Sequence, residues 1–199
     1  MADDERSRDK QAHDAERRQQ ERELATELER GEEIEPLVDT EELAELEAEL
    51  EGVTFPATGT EVVAAFGDRT IESVEGRYRM GDLIPETDEE TFDAPDAVRV
   101  QIQSPTVAAA MKRVVEASNT LQNADFGWTQ RKAYEKTFRE LKAIDPDDDD
   151  AGIRAIGDWI VERIREKETL PTSRAVRREA ATFCRTNGYQ VRYDEWLGV

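Results

Sequence analysis

Apolar residues recur at helical spacing along most of the chain and alternate at strand spacing in one short stretch. Leu43, Leu46, Leu50 and Val53 follow one another at steps of three, four and three, behind Thr40 as a helix N-cap and Glu41-Glu42 in the first turn. That pattern predicts an amphipathic helix with one face to bury. Thr58-Gly59-Thr60-Glu61 fits a capping box and predicts a helix through Val62 and Val63 to Phe66, closed at Gly67. Thr70–Val74 and Arg77–Met80 alternate around Glu75-Gly76 and read as a small hairpin. Residues 94–103 leave two readings open. Val98, Val100 and Ile102 alternate like a strand, whereas Pro95 suits the first turn of a helix. Ser104-Pro105 then opens a helix carrying Val107, Met111, Val114 and Leu121.

Three further helices follow. Tyr134, Phe138 and Leu141 mark the first; Ile153, Ile156, Ile160 and Ile164 mark the second, which is entered through the acidic run Asp147–Asp150 and closed by Leu170-Pro171. Ser173 is the expected cap of the third, with Val176, Ala180, Phe183 and Cys184 inward and Asn187-Gly188 as its terminator. A strand-like Gln190–Tyr193 leads to Trp196 and Leu197, expected to pin the C-terminal end onto the bundle. Residues 1–39 hold few apolar positions, and Leu24 and Leu28 are too sparse to anchor a helix there. The predicted fold is therefore mainly α with one small β-hairpin: a disordered or frayed acidic leader (1–39), a helix-rich module (40–121) and a C-terminal three-helix unit (125–199).

Three of the middle segments carry a resemblance. Phe55-Pro56-Ala57-Thr58, Gly67-Asp68-Arg69 and Glu90-Thr91-Phe92-Asp93-Ala94 occur in that order behind Leu46-Glu47-Ala48-Glu49-Leu50. Over roughly residues 43–103 the chain resembles a family of small haloarchaeal proteins known only as a domain of unknown function. The resemblance implies a helix-rich module and a haloarchaeal source, and supplies no activity or catalytic residues. The acidic leader and the whole back segment depart from the short family members.

Charge changes the picture by being uneven. Of 47 acidic and 27 basic residues, residues 1–50 hold 19 and 7, residues 51–124 hold 13 and 6, and the last 75 hold 15 and 14. Arg outnumbers Lys by 21 to 6, and the net charge is −20. The acid excess and the Lys shortage together point to a salt-rich cytoplasm, where screening relieves self-repulsion. On that reading the front charge is an adaptation to solvent, and it disfavours nucleic acid or an anionic membrane as partners of the front two thirds. The longest purely apolar runs, Val62–Phe66 and Val107–Met111, are far too short for a membrane span.

Candidate chemistry is thin. The single imidazole, His13, sits in the leader, which excludes a His-based triad or zinc site and makes an enzyme improbable. Cys184 shares a helix face with Ala180, so a buried structural thiol is expected. Glycines stand apart and form no phosphate loop, and no cofactor is expected. The one positive candidate is the last helix. Arg174, Arg178 and Arg185 fall near one face with Arg177 beside them, behind a short Glu168–Thr172 connection. This outline suits contact with a protein partner, whose identity the sequence does not give. It also resembles a helix-turn-helix, the alternative reading being DNA or RNA binding. The Leu43–Leu50 face is a second expected contact surface. Asp147, Asp149, Gly152 and Asp158 fall at positions one, three, six and twelve of a calcium loop, but Ala151 occupies position five and no bidentate Glu closes it. Calorimetric titration with calcium or magnesium should accordingly detect no site tighter than millimolar; a micromolar site would overturn this reading.

Overall fold

The structure is a computed structural model, described here for residues 37–121, 126–144 and 150–189. These described residues belong to one compact unit. Its elements are α1 (Thr40–Leu50), β1 (Ala57–Thr58), α2 (Gly59–Phe66), β2 (Thr70–Ser73), β3 (Gly76–Arg79), α3 (Met80–Leu83), β4 (Thr91–Phe92), α4 (Pro95–Ile102), α5 (Pro105–Ser118), α6 (Trp128–Ile144), α7 (Ala151–Lys167) and α8 (Ser173–Thr186). The mainly α expectation holds. The hairpin β2–β3 is present, in the register Thr70↔Arg79 to Ser73↔Gly76, with Val74-Glu75 as its two-residue loop and Gly76 at φ 135°. A second, two-residue ladder pairs β1 with β4 antiparallel.

Local signals mostly placed the elements correctly and shifted the caps. Asp39 caps α1: its carboxylate accepts from the Glu41 amide at 2.7 Å, and Thr40 is the first helical residue. Thr172 caps α8 in the same way, accepting from the Ala175 amide at 3.2 Å, so Ser173 is again one residue inside. Ser104 precedes α5 without a side-chain cap bond. The Thr58–Glu61 capping box is complete in both directions. Helix α1 stops at Leu50, and Val53 lies beyond it in a turn that donates back to the Leu50 carbonyl. Residues 95–102 are helical. Pro95 sits in the first turn, Val98 and Ile102 face inward four apart, and Val100 is left outside, which a strand would not have done. At the far end Gly188, at φ 75°, lets its own amide reach Arg185 and the Tyr189 amide reach Cys184, a Schellman closure of α8.

Two apolar clusters form the core. The first gathers Val38, α1, Val62, Ile71, Met80, Leu83, Ile84, Phe92, Val98 and Ile102; the second gathers α6, α7 and α8. The leucine face of α1 belongs to the first cluster, with Leu43, Leu46 and Leu50 essentially inaccessible. The expectation that this face is a contact surface is therefore corrected: it is spent on the molecule's own core, at roughly 1.5–3 kcal/mol per leucine. Val38 is also buried and bridges Ser73, so ordered packing begins ahead of residue 40. Helix α5 joins the clusters, giving Ala108 to the first and Val107, Ala110, Met111, Val114 and Val115 to the second. The expected Gln190–Tyr193 strand and the Trp196-Leu197 anchor lie outside the described residues, as does the leader to residue 36.

Two glycines mark opposite packing regimes. A Cβ on Gly59 would stand 2.0 Å from the Pro85 carbonyl oxygen, whereas one on Gly157 would meet only the Ala110 methyl at an ordinary 3.8 Å. Gly59→Ala should lower stability by about 2 kcal/mol or more, because backbone has to move. Gly157→Ala should raise it by about 0.5–1 kcal/mol through helix propensity. Urea unfolding of both variants checks the opposite signs.

Candidate functional site

Basic side chains divide sharply along the fold. Among the described residues up to Lys142, Arg69, Arg77, Arg79, Arg99, Lys112, Arg113, Arg131, Lys132, Arg139 and Lys142 each hold a carboxylate within ion-pair distance, and Lys136 alone does not. From Arg163 onward the situation inverts. Arg163, Arg165, Lys167, Arg174, Arg177, Arg178 and Arg185 form no ion pair among the described residues, and all lie on the last turns of α7 or on α8. None of the α8 arginines pairs with Glu162 or Glu166, the exposed acids near the end of α7.

The local sequence explains the presentation. Val176, Ala180, Ala181 and Cys184 bury one side of α8 against α6 and α7, which turns Arg174, Arg178, Thr182 and Arg185 outward. Arg174, Arg178 and Arg185 are exposed; Arg177 is half-buried, with its Nε shut off from both solvent and partner. The structure therefore brings three of the four candidate arginines into one stripe and sets Arg177 at its edge. Cys184 is buried, as its spacing predicted. The start of α8 is held from below. The Tyr134 hydroxyl on α6 donates to the Pro171 carbonyl, and Gln130 Nε2 donates to the same carbonyl at 2.8 Å. Because Pro171 immediately precedes the Thr172 cap, this clamp fixes where Arg174 emerges.

Two features had no counterpart in the sequence reading. Trp128, at the start of α6, is 72% exposed and lines a groove between α4, α5 and α6, as does the exposed Val100. Glu90–Arg131 and the Glu135 pairs with Lys132 and Arg139 rim that groove. The second feature is a cleft of about 570 Å³ between the hairpin, α5 and the facing ends of α6 and α7. In it Lys142 lies between Glu75 and Asp150, donating to both carboxylates. The Tyr78 phenol lines the same cleft; burial first, and the Asp150 carboxylate second, push its pKa above the usual tyrosine value. Of the calcium-loop reading, residues 147–149 lie outside the described residues, while Asp150 is engaged by Lys142. No group of three or more His, Cys, Asp or Glu side chains among the described residues is arranged to hold a metal.

Comparison with known proteins reaches only part of the chain. Residues 40–114 match the sequence model of a family of unknown function (DUF5789). No curated protein and no solved structure matches. The matched span covers the first core cluster apart from Val38 and runs most of the way along α5, so the arginine stripe falls wholly outside it. No helix among the described residues is long and apolar enough to cross a membrane.

The clamp beneath α8 gives a pH signature. Burial raises the Tyr134 pKa to about 12, against the modest lowering from Gln130. A raised acid favours the protonated form in the folded state, so its contribution is fully present below pH 10 and is lost as pH climbs from 10 towards 12. Tyr134→Phe should cost about 1 kcal/mol near neutrality and flatten that alkaline decline. Denaturant titrations at stepped pH on both proteins measure it.

Proposed function

We propose that this is a non-enzymatic interaction or regulatory protein whose working surface is the outward face of α8, and that its partner is a protein offering carboxylates. The observation that carries this reading is the inversion of pairing along the chain. Guanidinium groups that could have been neutralised internally, in a chain of net charge −20, are left facing outward together. Arginine suits such a surface because its fixed fork meets carboxylates two bonds at a time. The clamp at Pro171 supports the reading further, since it holds the arginine-bearing end in one position. The absence of enzymatic activity is proposed from the sequence, where the only imidazole is His13 and the only thiol faces inward. We also propose a haloarchaeal cytoplasm as its setting, on the acid excess and the scarcity of lysine.

One observation favours a second reading, DNA or RNA binding. Arg174 and Arg178 sit at the N-terminal end of the second of two helices joined by residues 168–172, where a recognition helix makes its base and phosphate contacts. Concentrated salt works against it, because phosphate attraction falls steeply as counterion release loses its driving force.

Changing Arg174, Arg177 and Arg178 together to Ala separates the readings. In potassium chloride at molar concentration, the tagged native chain should retain a protein partner from nuclease-treated lysate, and the triple variant should lose it. A shift of duplex DNA or RNA in a mobility assay, abolished by the same change, would favour the second reading. Partner retention and mobility both indifferent to the triple change would overturn the arginine face altogether.

A further inference from the structure

Large apolar side chains are rarely left outside in this fold, and the exceptions are not scattered. Among the described residues only Trp128, Val100 and Val74 are large, apolar and exposed. Val74 belongs to the hairpin loop, whereas Trp128 and Val100 both line the groove between α4, α5 and α6. Apolar groups exposed singly are ordinary; two on one hollow form a patch that favours contact. The groove also follows the seam of the core. Phe92 from the first cluster and Val107, Met111 and Val115 from the second, all buried, give it an apolar floor. Its volume is about 390 Å³, room for an aromatic side chain.

Charge decides what can enter. Three carboxylates (Glu90, Asp93, Glu135) and three cations (Arg131, Lys132, Arg139) line the groove, so it is neutral. Five of the six are already joined, Glu90 to Arg131 and Glu135 to both Lys132 and Arg139. A small ion therefore finds nothing here to select it. Neutrality matters most to a second copy of this chain. Two molecules of net charge −20 repel wherever acid faces acid. A neutral, apolar patch is where they can touch without that repulsion. The shape suits the same occupant. A two-fold contact needs one surface that carries both a projecting group and the hollow receiving it. The exposed indole of Trp128 and the groove it lines supply both. Tryptophan is also among the side chains that most often anchor an interface.

We propose that this groove is the contact surface of a homodimer, in which Trp128 of each copy lies in the groove of the other. Val100 and the salt-bridged rim close around the indole and keep water from it. No described residue of α8 lines the groove, so the arginine stripe is a separate surface and stays open to its own partner.

The test is sedimentation equilibrium of the full chain in potassium chloride from about 0.2 to 1 M, with circular dichroism to check that each variant is folded. The expected result is a monomer–dimer equilibrium with a dissociation constant on the order of 10–100 µM, as suits a small interface. It should tighten several-fold with salt, which screens the repulsion between two acidic chains. Trp128→Ala should weaken it at least tenfold. Val100→Asp, which adds a carboxylate to the neutral patch, should do the same and serves if Trp128→Ala does not fold. Changing Arg174, Arg177 and Arg178 together to Ala should leave the dimer unaltered, so this result stands or falls apart from the α8 reading. A chain still monomeric at about 1 mM, association that weakens with salt, or growth past the dimer would each overturn the proposal. So would a dimer that survives both folded groove variants or dissolves with the arginine change. A monomer whose Trp128→Ala variant instead loses a different protein from lysate would assign the groove to that protein and equally overturn it.

Discussion

Helix α5 has to be buried on two sides at once, and the remainder of the molecule is arranged to allow it. Its sequence, Pro-Thr-Val-Ala-Ala-Ala-Met-Lys-Arg-Val-Val, places larger apolar groups towards α6–α8 and small ones at the border with the first cluster. Alanines at 108, 109 and 110 let neighbouring helices approach, and on α7 Gly157 lies opposite Ala110. The polar flank is used as well. Lys112 donates to the Ile84 carbonyl at 3.0 Å, tying α5 to the segment after α3, and Arg113 holds Asp158 on α7. One helix thus closes the core of the segment that matches a family model and opens the core of the segment that does not.

The three motifs behind the family resemblance acquire a mechanical meaning from the same view. Ala57-Thr58 and Thr91-Phe92 are partners in the β1–β4 ladder, and the Gly59 amide donates to the Glu90 carbonyl at 2.8 Å. Gly67 accepts from the Gly81 amide, Asp68 meets Arg79, and Arg69 reaches Glu49 on α1 at 2.8 Å. These residues fasten segments distant in sequence, and their side chains are engaged in doing so. Glu90 goes one step further, since its carboxylate holds Arg131 on α6, and Arg131 in turn donates to the Phe126 carbonyl at 2.9 Å. The motif that closes the first cluster is therefore also a strap to the second.

Much of this was legible in the sequence because it depends on near neighbours. Periodicity located α1, α6, α7 and α8, and the capping box placed α2, since each signal is written within a turn or two of chain. The caps at Asp39 and Thr172 were missed by one residue because Thr40 and Ser173 are equally good hydroxyl caps, and only the backbone angle decides between adjacent candidates. The β1–β4 ladder escaped notice because two residues leave no alternation to detect, and its partners stand 33 and 35 positions apart. Among the site residues, the arginine stripe was visible as spacing on one helix. The Lys142 cleft was not, because its members come from a hairpin loop and three different helices, and each alone reads as a solvated charge. Trp128 went unremarked for a related reason: a tryptophan opening a helix is ordinarily core, and only the packing around α6 shows it outside.

The division between paired and unpaired cations bears on what the net charge means. Most surface ion pairs contribute little to stability, and concentrated salt reduces that further. The pairs before residue 142 are thus better understood as disposal of positive charge on a crowded acidic surface than as the source of the fold's strength. That makes the last two helices the more informative part. There, exposed acids such as Glu162, Glu166 and Glu168 stand close in sequence to Arg163, Arg165 and Lys167, yet the described residues show no pairing. Stability gives little reason to pair these cations, and solubility is already served by the acid excess elsewhere. What distinguishes α8 is that its cations share one stripe on a helix whose starting point is clamped by Tyr134 and Gln130. Charge held in a fixed pattern is a more specific feature than charge alone, and it is found on the side of the molecule that the family match does not reach.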